Sequence, residues 1–419
     1  MARGLPRPRF EVADIVRAHG AELRLQRIVT HREAKVLRHL GQCRTPSMGG
    51  HRDVCDDCGH ESISYNSCRD RHCPKCQGTE RAKWLERRLE HVLPIPYFHA
   101  VFTVPSALHA LVLANRRQLY AALFDASAGT IQQLARDERR LGAEVGITSV
   151  LHTWGQKLLF HPHVHCVVTG GGLSPDGARW VPARERFLLP VKAMSRLFRG
   201  KVLAALQELR RAGELSLPGK LDALRDDATW AAFRDRLYGA DWVVYCKPPF
   251  GGAEKVFAYL GRYTHRVAIS NHRIREFRDG RVTFGYRDYA DGNRQKELTV
   301  PAVEFLRRFL LHVLPRGFVR LRHYGLHASG NVGAKLVRAR ELLGVPSPPQ
   351  VGQSCPPAAA GPAVPRSPAR ETVPWWETVL RRTGVDLRAC PRCGTGRLVR
   401  RGLVLPAAGH VRAPPRSAS

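Results

Sequence analysis

Apolar side chains recur at two periods along this chain. Alternating or short β-branched runs at residues 97–104, 147–156, 160–170, 241–246 and 318–321 read as strands, the first closed by Pro105. Residues 273–287 alternate around Asp279-Gly280, a hairpin signal. Helical spacing marks residues 80–92, 108–123, 130–141, 193–212 and 303–313, the last with apolar side chains at 303, 306, 309, 310 and 313. The strands at 147–156 and 160–170 are expected to pair as a hairpin turning near 160–162. Gly170-Gly171-Gly172 is expected to end the second of them; no Lys-Ser/Thr of a phosphate loop follows, so the triplet reads as a flexible turn.

Strands mixed with helices in this order predict an α+β fold. Pro94 and Pro96 set a boundary between an N-terminal module, 1–94, and a larger body, 95–345, that carries an insertion at about 173–240. Residues 346–374 are Pro, Ala, Ser and Gly with almost no aliphatic pattern, which predicts a disordered linker. A segment holding Cys390-Pro391-Arg392-Cys393 and a basic tail, 375–419, closes the chain; the tail after Arg397 is expected to be disordered.

Charge narrows the partner. The formal net charge is +31 over 419 residues, and Arg outnumbers Lys 56 to 11. A surplus of this size predicts a polyanion, most simply nucleic acid. Residues 1–41 look helical, with Ile15, Val16, Leu23 and Leu25 among arginines, and read either as a DNA-contacting arm or as a solvated helix. No apolar run of eighteen residues appears and the N-terminus lacks a signal sequence, which points to the cytoplasm. In that reducing setting the 11 cysteines are expected to bind metal or stay as thiols.

The densest ligand cluster lies near the N-terminus. Cys55-x2-Cys58, fourteen residues, then Cys73-x2-Cys76 has the spacing of a zinc ribbon, so these four are the expected Zn²⁺ ligands. Cys43, His51, Cys68 and His72 remain and suffice for a second site; the alternative is that Cys68 packs as a small hydrophobe and His72 contacts phosphate. Arg69, Arg71 and Lys75 surround the cluster and are expected to bind DNA. Cys390 and Cys393 are half a knuckle with only His410 nearby.

The second ligand set sits in the strand 160–170. Side chains alternate across a strand, so His163 and His165 share a face and can grip one metal ion. Candidates for a third ligand are His152, Gln156 and His161, with His152 preferred because it would project from the neighbouring strand of the hairpin. Some ninety residues on, Tyr259 and Tyr263 stand four apart and share one face if residues 256–266 are helical. Lys255, Arg262 and Arg266 flank them as candidate phosphate contacts.

The His163-Val164-His165 pair, the two tyrosines and the cysteine-rich run 66–76 together resemble the two-tyrosine HUH transposases of the insertion sequence 91 family, over roughly residues 31–336. The resemblance implies an antiparallel HUH-nuclease-like sheet with packed helices, preceded by a small zinc-binding domain. It implies a bacterial, nucleoid-associated enzyme that cleaves and rejoins single-stranded ends of a mobile element through a 5′-phosphotyrosine, inserting into target DNA by a rolling-circle route. Tyr259 and Tyr263 would be nucleophiles, and His163, His165 and His152 would hold Mg²⁺ or Mn²⁺. The His152 spacing is similar to that of the three-histidine site of conjugative relaxases. A replication initiator or relaxase with the same chemistry, and a non-enzymatic zinc-ribbon DNA-binding protein, are the competing readings. Which tyrosine attacks first stays open.

Overall fold

The computed structural model describes residues 8–76, 92–247, 268–345, 376–377, 380–381 and 384–407. Residues 80–91 of the expected helix 80–92, the tyrosine segment 256–266 with Lys255, and the expected linker 346–374 lie outside the described residues. Strands in chain order are β1 (Gly50–Cys55), β2 (Glu61–Tyr65), β3 (Tyr97–Thr103), β4 (Glu144–Trp154), β5 (Phe160–Leu173), β6 (Trp180–Pro182), β7 (Val244–Lys247), β8 (Ile274–Arg278), β9 (Arg281–Asp288), β10 (Arg294–Pro301), β11 (Leu321–Gly325) and β12 (Leu398–Val404).

The fold is α+β, built on an antiparallel sheet in the order β11-β4-β5-β3-β7, with β6 paired to the far end of β5. Its two faces differ because side chains alternate. Phe98, Ala100 and Phe102 of β3, Ile147 and Leu151 of β4, and Val164, Cys166 and Val168 of β5 point into one apolar core. That core also holds Tyr120, Phe124 and Ile131 of the helix Arg116–Arg136 and Phe198 and Val202 of the helix Val191–Arg211. The other face of the same strands carries His99, His152, His163 and His165. The alternation thus places the chemistry opposite the helix layer.

Two expectations about β5 change. The turn precedes Phe160, closed by hydrogen bonds from the Gly155 N–H to the Leu159 carbonyl and from the Leu158 N–H to the Gly155 carbonyl, so residues 160–162 already belong to the strand. The glycine triplet is not a turn, since β5 runs through to Leu173. A Cβ at Gly172 would lie 2.2 Å from the Glu144 carbonyl oxygen and one at Gly171 2.6 Å from that of Val181. The glycines are there to let three backbones close up. Helices expected at 108–123 and 130–141 form a short helix, His109–Ala114, and one long one, Arg116–Arg136. A third strand, β10, joins the expected hairpin β8–β9.

Residues 12–42 are not a solvated helix. They form two helices, Val12–Gln26 and His31–Gln42, the second capped by Thr30 and Glu33, each side chain accepting from the other's backbone N–H. Val12, Ile15, Leu23, Val36 and Leu37 are buried with Phe305, Leu306 and Phe309 of the helix Ala302–Leu310, beneath β8–β10. Each such side chain contributes about 1.5–3 kcal/mol on burial. These helices therefore belong to a second core that continues into the main body.

A third sheet, β12-β1-β2, carries the other correction. The tail after Arg397 is not disordered there: residues 398–404 pair antiparallel with β1, matching Gly50 to Val404 and Cys55 to Leu398. Among the described residues no helix is long and apolar enough to cross a membrane.

Candidate active site and metal centres

Register brings the histidines together. His152 of β4 lies opposite His163 of β5, and His165 lies opposite Val150 on one side and Val101 on the other. Ring nitrogens of His152, His163 and His165 all fall within 4.8 Å of one another. Ring centroids are 4.2 Å apart for His152 and His165, 4.9 Å for His163 and His165, and 5.3 Å for His152 and His163. His161 packs edge-on against His109 and stands outside this group, while Gln156 donates to the Tyr289 hydroxyl.

Neighbouring groups fix how two of these rings are turned. Nδ1–H of His163 donates to the carbonyl oxygen of His161 at 2.7 Å, leaving Nε2 as a lone pair. Nδ1 of His165 is 2.8 Å from Nε2 of His99, an orientation that leaves Nε2 of His165 toward the cluster. Burial, reinforced by neighbouring imidazoles, pushes His163 down to about 3 and His165 well below the ordinary value. Burial and the nearby Lys247 bring His99 down to about 4. At neutral pH His163 and His165 are thus uncharged imidazoles, the form that ligates metals. Three imidazole donors suit Mn²⁺ and accept Mg²⁺. His99 is a supporting residue that the sequence reading missed. Its signal was its place on the same face of β3 as the pair occupies on β5.

The cysteines regroup. Cys55 and Cys58 do not share a site with Cys73 and Cys76. One cluster is Cys43, Cys68, Cys73 and Cys76, and the other is Cys55, Cys58, Cys390 and Cys393. The cause is the hairpin β1–β2. Cys43 and Cys68 flank its base, where Gly50 pairs with Tyr65, and Cys55 and Cys58 lie at its turn. Five residue pairs at about 3.3 Å each separate base from turn by roughly 15 Å, too far for one ion. Tetrahedral Zn–S bonds of about 2.3 Å require sulfur–sulfur separations of about 3.8 Å. The base cluster shows 3.4 Å for Cys43 to Cys76 and 3.6 Å for Cys68 to Cys76. Hydrogen bonds from Cys68 and Cys73 bring the Cys43 thiol down to about 7.

Neither histidine assigned to a second zinc joins a cluster. His51 lies on β1 between Ser64 and Leu403. His72 is buried with both nitrogens engaged: Nδ1–H donates to Asp70 at 2.8 Å, and Nε2 accepts from the Leu314 N–H at 3.2 Å. Burial opposes ionisation of Asp70, yet hydrogen bonds from His72 and His39 hold its carboxyl well below the usual range. The residue is a strut between the zinc module and the main body. Of the basic residues, Arg69 is exposed, Arg71 donates to the Phe318 carbonyl at 2.6 Å, and Lys75 pairs with Glu11 at 2.8 Å. Among the described residues, only Arg69 of these three presents a charge without such a tie. Lys255, Arg262 and Arg266 lie outside the described residues, as do Tyr259 and Tyr263.

Comparison with known proteins defines the class. Residues 15–104 match a family described as "Transposase zinc-binding domain", and residues 146–334 match one described as "Putative transposase". The cysteine module is thus a transposase zinc-binding domain holding structural Zn²⁺, joined to a transposase body that acts on DNA. The chain is 45% identical over 400 residues to a Sinorhizobium fredii protein named "Putative transposase y4qJ", covering 95% of this chain and 96% of the relative. It is 28% identical over 319 residues to the transposase for insertion sequence element IS801 of Pseudomonas savastanoi pv. phaseolicola, covering 75% of each. The chain belongs to the insertion sequence 91 family of transposases. No solved structure matches it.

Proposed function

We propose that this transposase nicks and rejoins single-stranded DNA at the ends of its element by tyrosine transesterification, with His152, His163 and His165 holding a divalent cation. The observation that carries the reading is the convergence of those three imidazoles on one sheet face. A bound Mg²⁺ or Mn²⁺ would neutralise charge on the scissile phosphate and polarise it toward attack. The protein's part is to orient the rings: the His161 carbonyl turns His163 and the His99 ring turns His165.

The nucleophiles are Tyr259 and Tyr263, in the segment that follows β7 in sequence; β7 pairs with β3, and β3 with the histidine strand. One tyrosine oxygen attacks phosphorus, the bond from phosphorus to the 3′-oxygen breaks, and that oxygen leaves and takes a proton. DNA on the 3′ side of the nick stays on the tyrosine through its 5′-phosphate. Attack by a 3′-hydroxyl on this linkage restores the phosphodiester and frees the tyrosine. The second tyrosine remains available to cut another strand. Each step exchanges one phosphodiester for another, so no outside energy source is needed.

Purified protein incubated with Mn²⁺ and single strands labelled at either end tests this. The expected result is metal-dependent cleavage with a covalent adduct that retains only the 3′ label. Cleavage that leaves both products free, or DNA binding without cleavage at any protein concentration, would overturn it.

A further inference from the structure

Cys390 and Cys393 lie beyond both family matches, which end at residues 104 and 334, and no role in the DNA chemistry reaches them. We propose that Cys55, Cys58, Cys390 and Cys393 bind a second Zn²⁺ ion, and that this ion fastens the C-terminal segment to the N-terminal zinc module. Sγ of Cys55 lies 3.8 Å from that of Cys393, and Sγ of Cys58 lies 3.7 Å from that of Cys390. These are the edges of a tetrahedron with zinc–sulfur bonds of about 2.3 Å and are nearly twice a disulfide bond. Both halves are Cys-x2-Cys turns whose backbone serves the sulfurs. N–H groups of Cys58, Arg392 and Gly396 point at the sulfurs of Cys55, Cys390 and Cys393 at 3.5, 3.4 and 3.3 Å. Such donors stabilise thiolate over thiol.

The two halves are also built to meet. The Asp56 N–H donates to the Arg397 carbonyl at 3.0 Å, the Arg397 N–H donates to the Asp56 carboxylate at 2.7 Å, and the Thr395 hydroxyl donates to Asp57 at 2.6 Å. Gly396 is obligatory at the seam, because a Cβ there would lie 2.4 Å from Sγ of Cys55. From the seam β12 runs out along β1. The ligand pairs are separated by 338 and 332 positions in sequence, so the site joins the two ends of the chain around the whole catalytic body. A chain interrupted in the linker lacks half the ligands, so the module is complete only when synthesis has passed Cys393.

The experiment uses the full chain, reconstituted with Co²⁺ and with a protease site inserted among residues 346–374. Thiolate-to-cobalt charge-transfer absorption counts cysteine sites and excludes the histidine cluster. Two equivalents per chain are expected for the unaltered cysteines and one for Cys390→Ser/Cys393→Ser, with the circular dichroism of the main body retained. After proteolysis the C-terminal fragment should co-elute with the rest when zinc is bound and separate in the double-serine variant or after chelation. Gly396→Val tests the seam without removing a ligand, and one equivalent should again be lost. A single charge-transfer equivalent in the unaltered chain, two in the double-serine variant, or a fragment whose retention ignores metal would each overturn the proposal.

Discussion

Replacing His72 with alanine separates a strut from a zinc ligand. The imidazole is buried, donates from Nδ1 to the ionised Asp70, and accepts at Nε2 from the backbone of Leu314 in the main body. Losing a hydrogen bond to a charged partner costs about 1.5–3 kcal/mol, and leaving the Leu314 N–H buried without an acceptor costs about 1–3 kcal/mol more. Asp70 keeps His39 at 3.0 Å and the His72 backbone N–H at 2.9 Å, which tempers the first loss. A destabilisation of about 3–4 kcal/mol is therefore expected for His72→Ala. With a urea m-value of about 3 kcal/mol/M the midpoint should fall by about 1 M. Urea unfolding followed by tryptophan fluorescence reads this, alongside zinc content measured on the same preparation. Zinc content should not change, because all four base-cluster ligands are cysteines. Loss of one zinc per chain would show that His72 is a ligand after all. A midpoint shift worth less than about 1 kcal/mol would refute the strut.

Two further perturbations follow from buried polar groups. Asn115 ties the insertion to the body, its side chain donating to the Leu111 and Ser216 carbonyls and accepting from the Ser216 N–H at 2.7 Å. Asn115→Ala should cost about 2–3 kcal/mol and expose residues near 216 to protease first; an unchanged melting temperature would contradict this. Burial pushes His312 down to about 3 while its Nε2–H donates to the Leu158 carbonyl. An unfolded histidine takes its proton near pH 6.5, whereas the folded one resists until about pH 3. Its contribution is thus complete above about pH 6.5 and lost on acidification, by up to about 1.4 kcal/mol per pH unit. Wild type should lose about 2 kcal/mol more than His312→Asn between pH 6.5 and 5 in urea titrations, and a difference of the opposite sign would be decisive against it.

Much of the geometry of the candidate site was legible because it depends on periods of two. Alternation alone puts His163 and His165 on one face, and a hairpin places His152 beside them. The zinc sites were misread for a physical reason. Pairing Cys55-Cys58 with Cys73-Cys76 assumes that neighbours in sequence are neighbours in space, and a short β hairpin is enough to part them. Setting aside Cys166, Cys246 and Cys355, eight cysteines remain, enough for two four-thiolate sites with no histidine needed. The glycine triplet was misread in the same way, because close approach of Gly171 and Gly172 to β6 and β4 is a tertiary fact. Likewise the N-terminal helices carry arginines on the outside and bury Ile15 and Leu23 against partners nearly three hundred residues away.

The reading of this transposase as a metal-dependent tyrosine strand transferase is tested most directly by locating the covalent bond. Wild type, His163→Ala and His165→Ala proteins are incubated with Mn²⁺ and single-stranded element ends, the adducts are digested, and the DNA-bearing peptide is identified by mass spectrometry. The expected result is DNA on Tyr259 or Tyr263 in wild type and almost no adduct in either histidine variant, with both variants still folded and binding DNA. An adduct on Tyr286 or Tyr324, or one that forms undiminished without His163 and without His165, would contradict it.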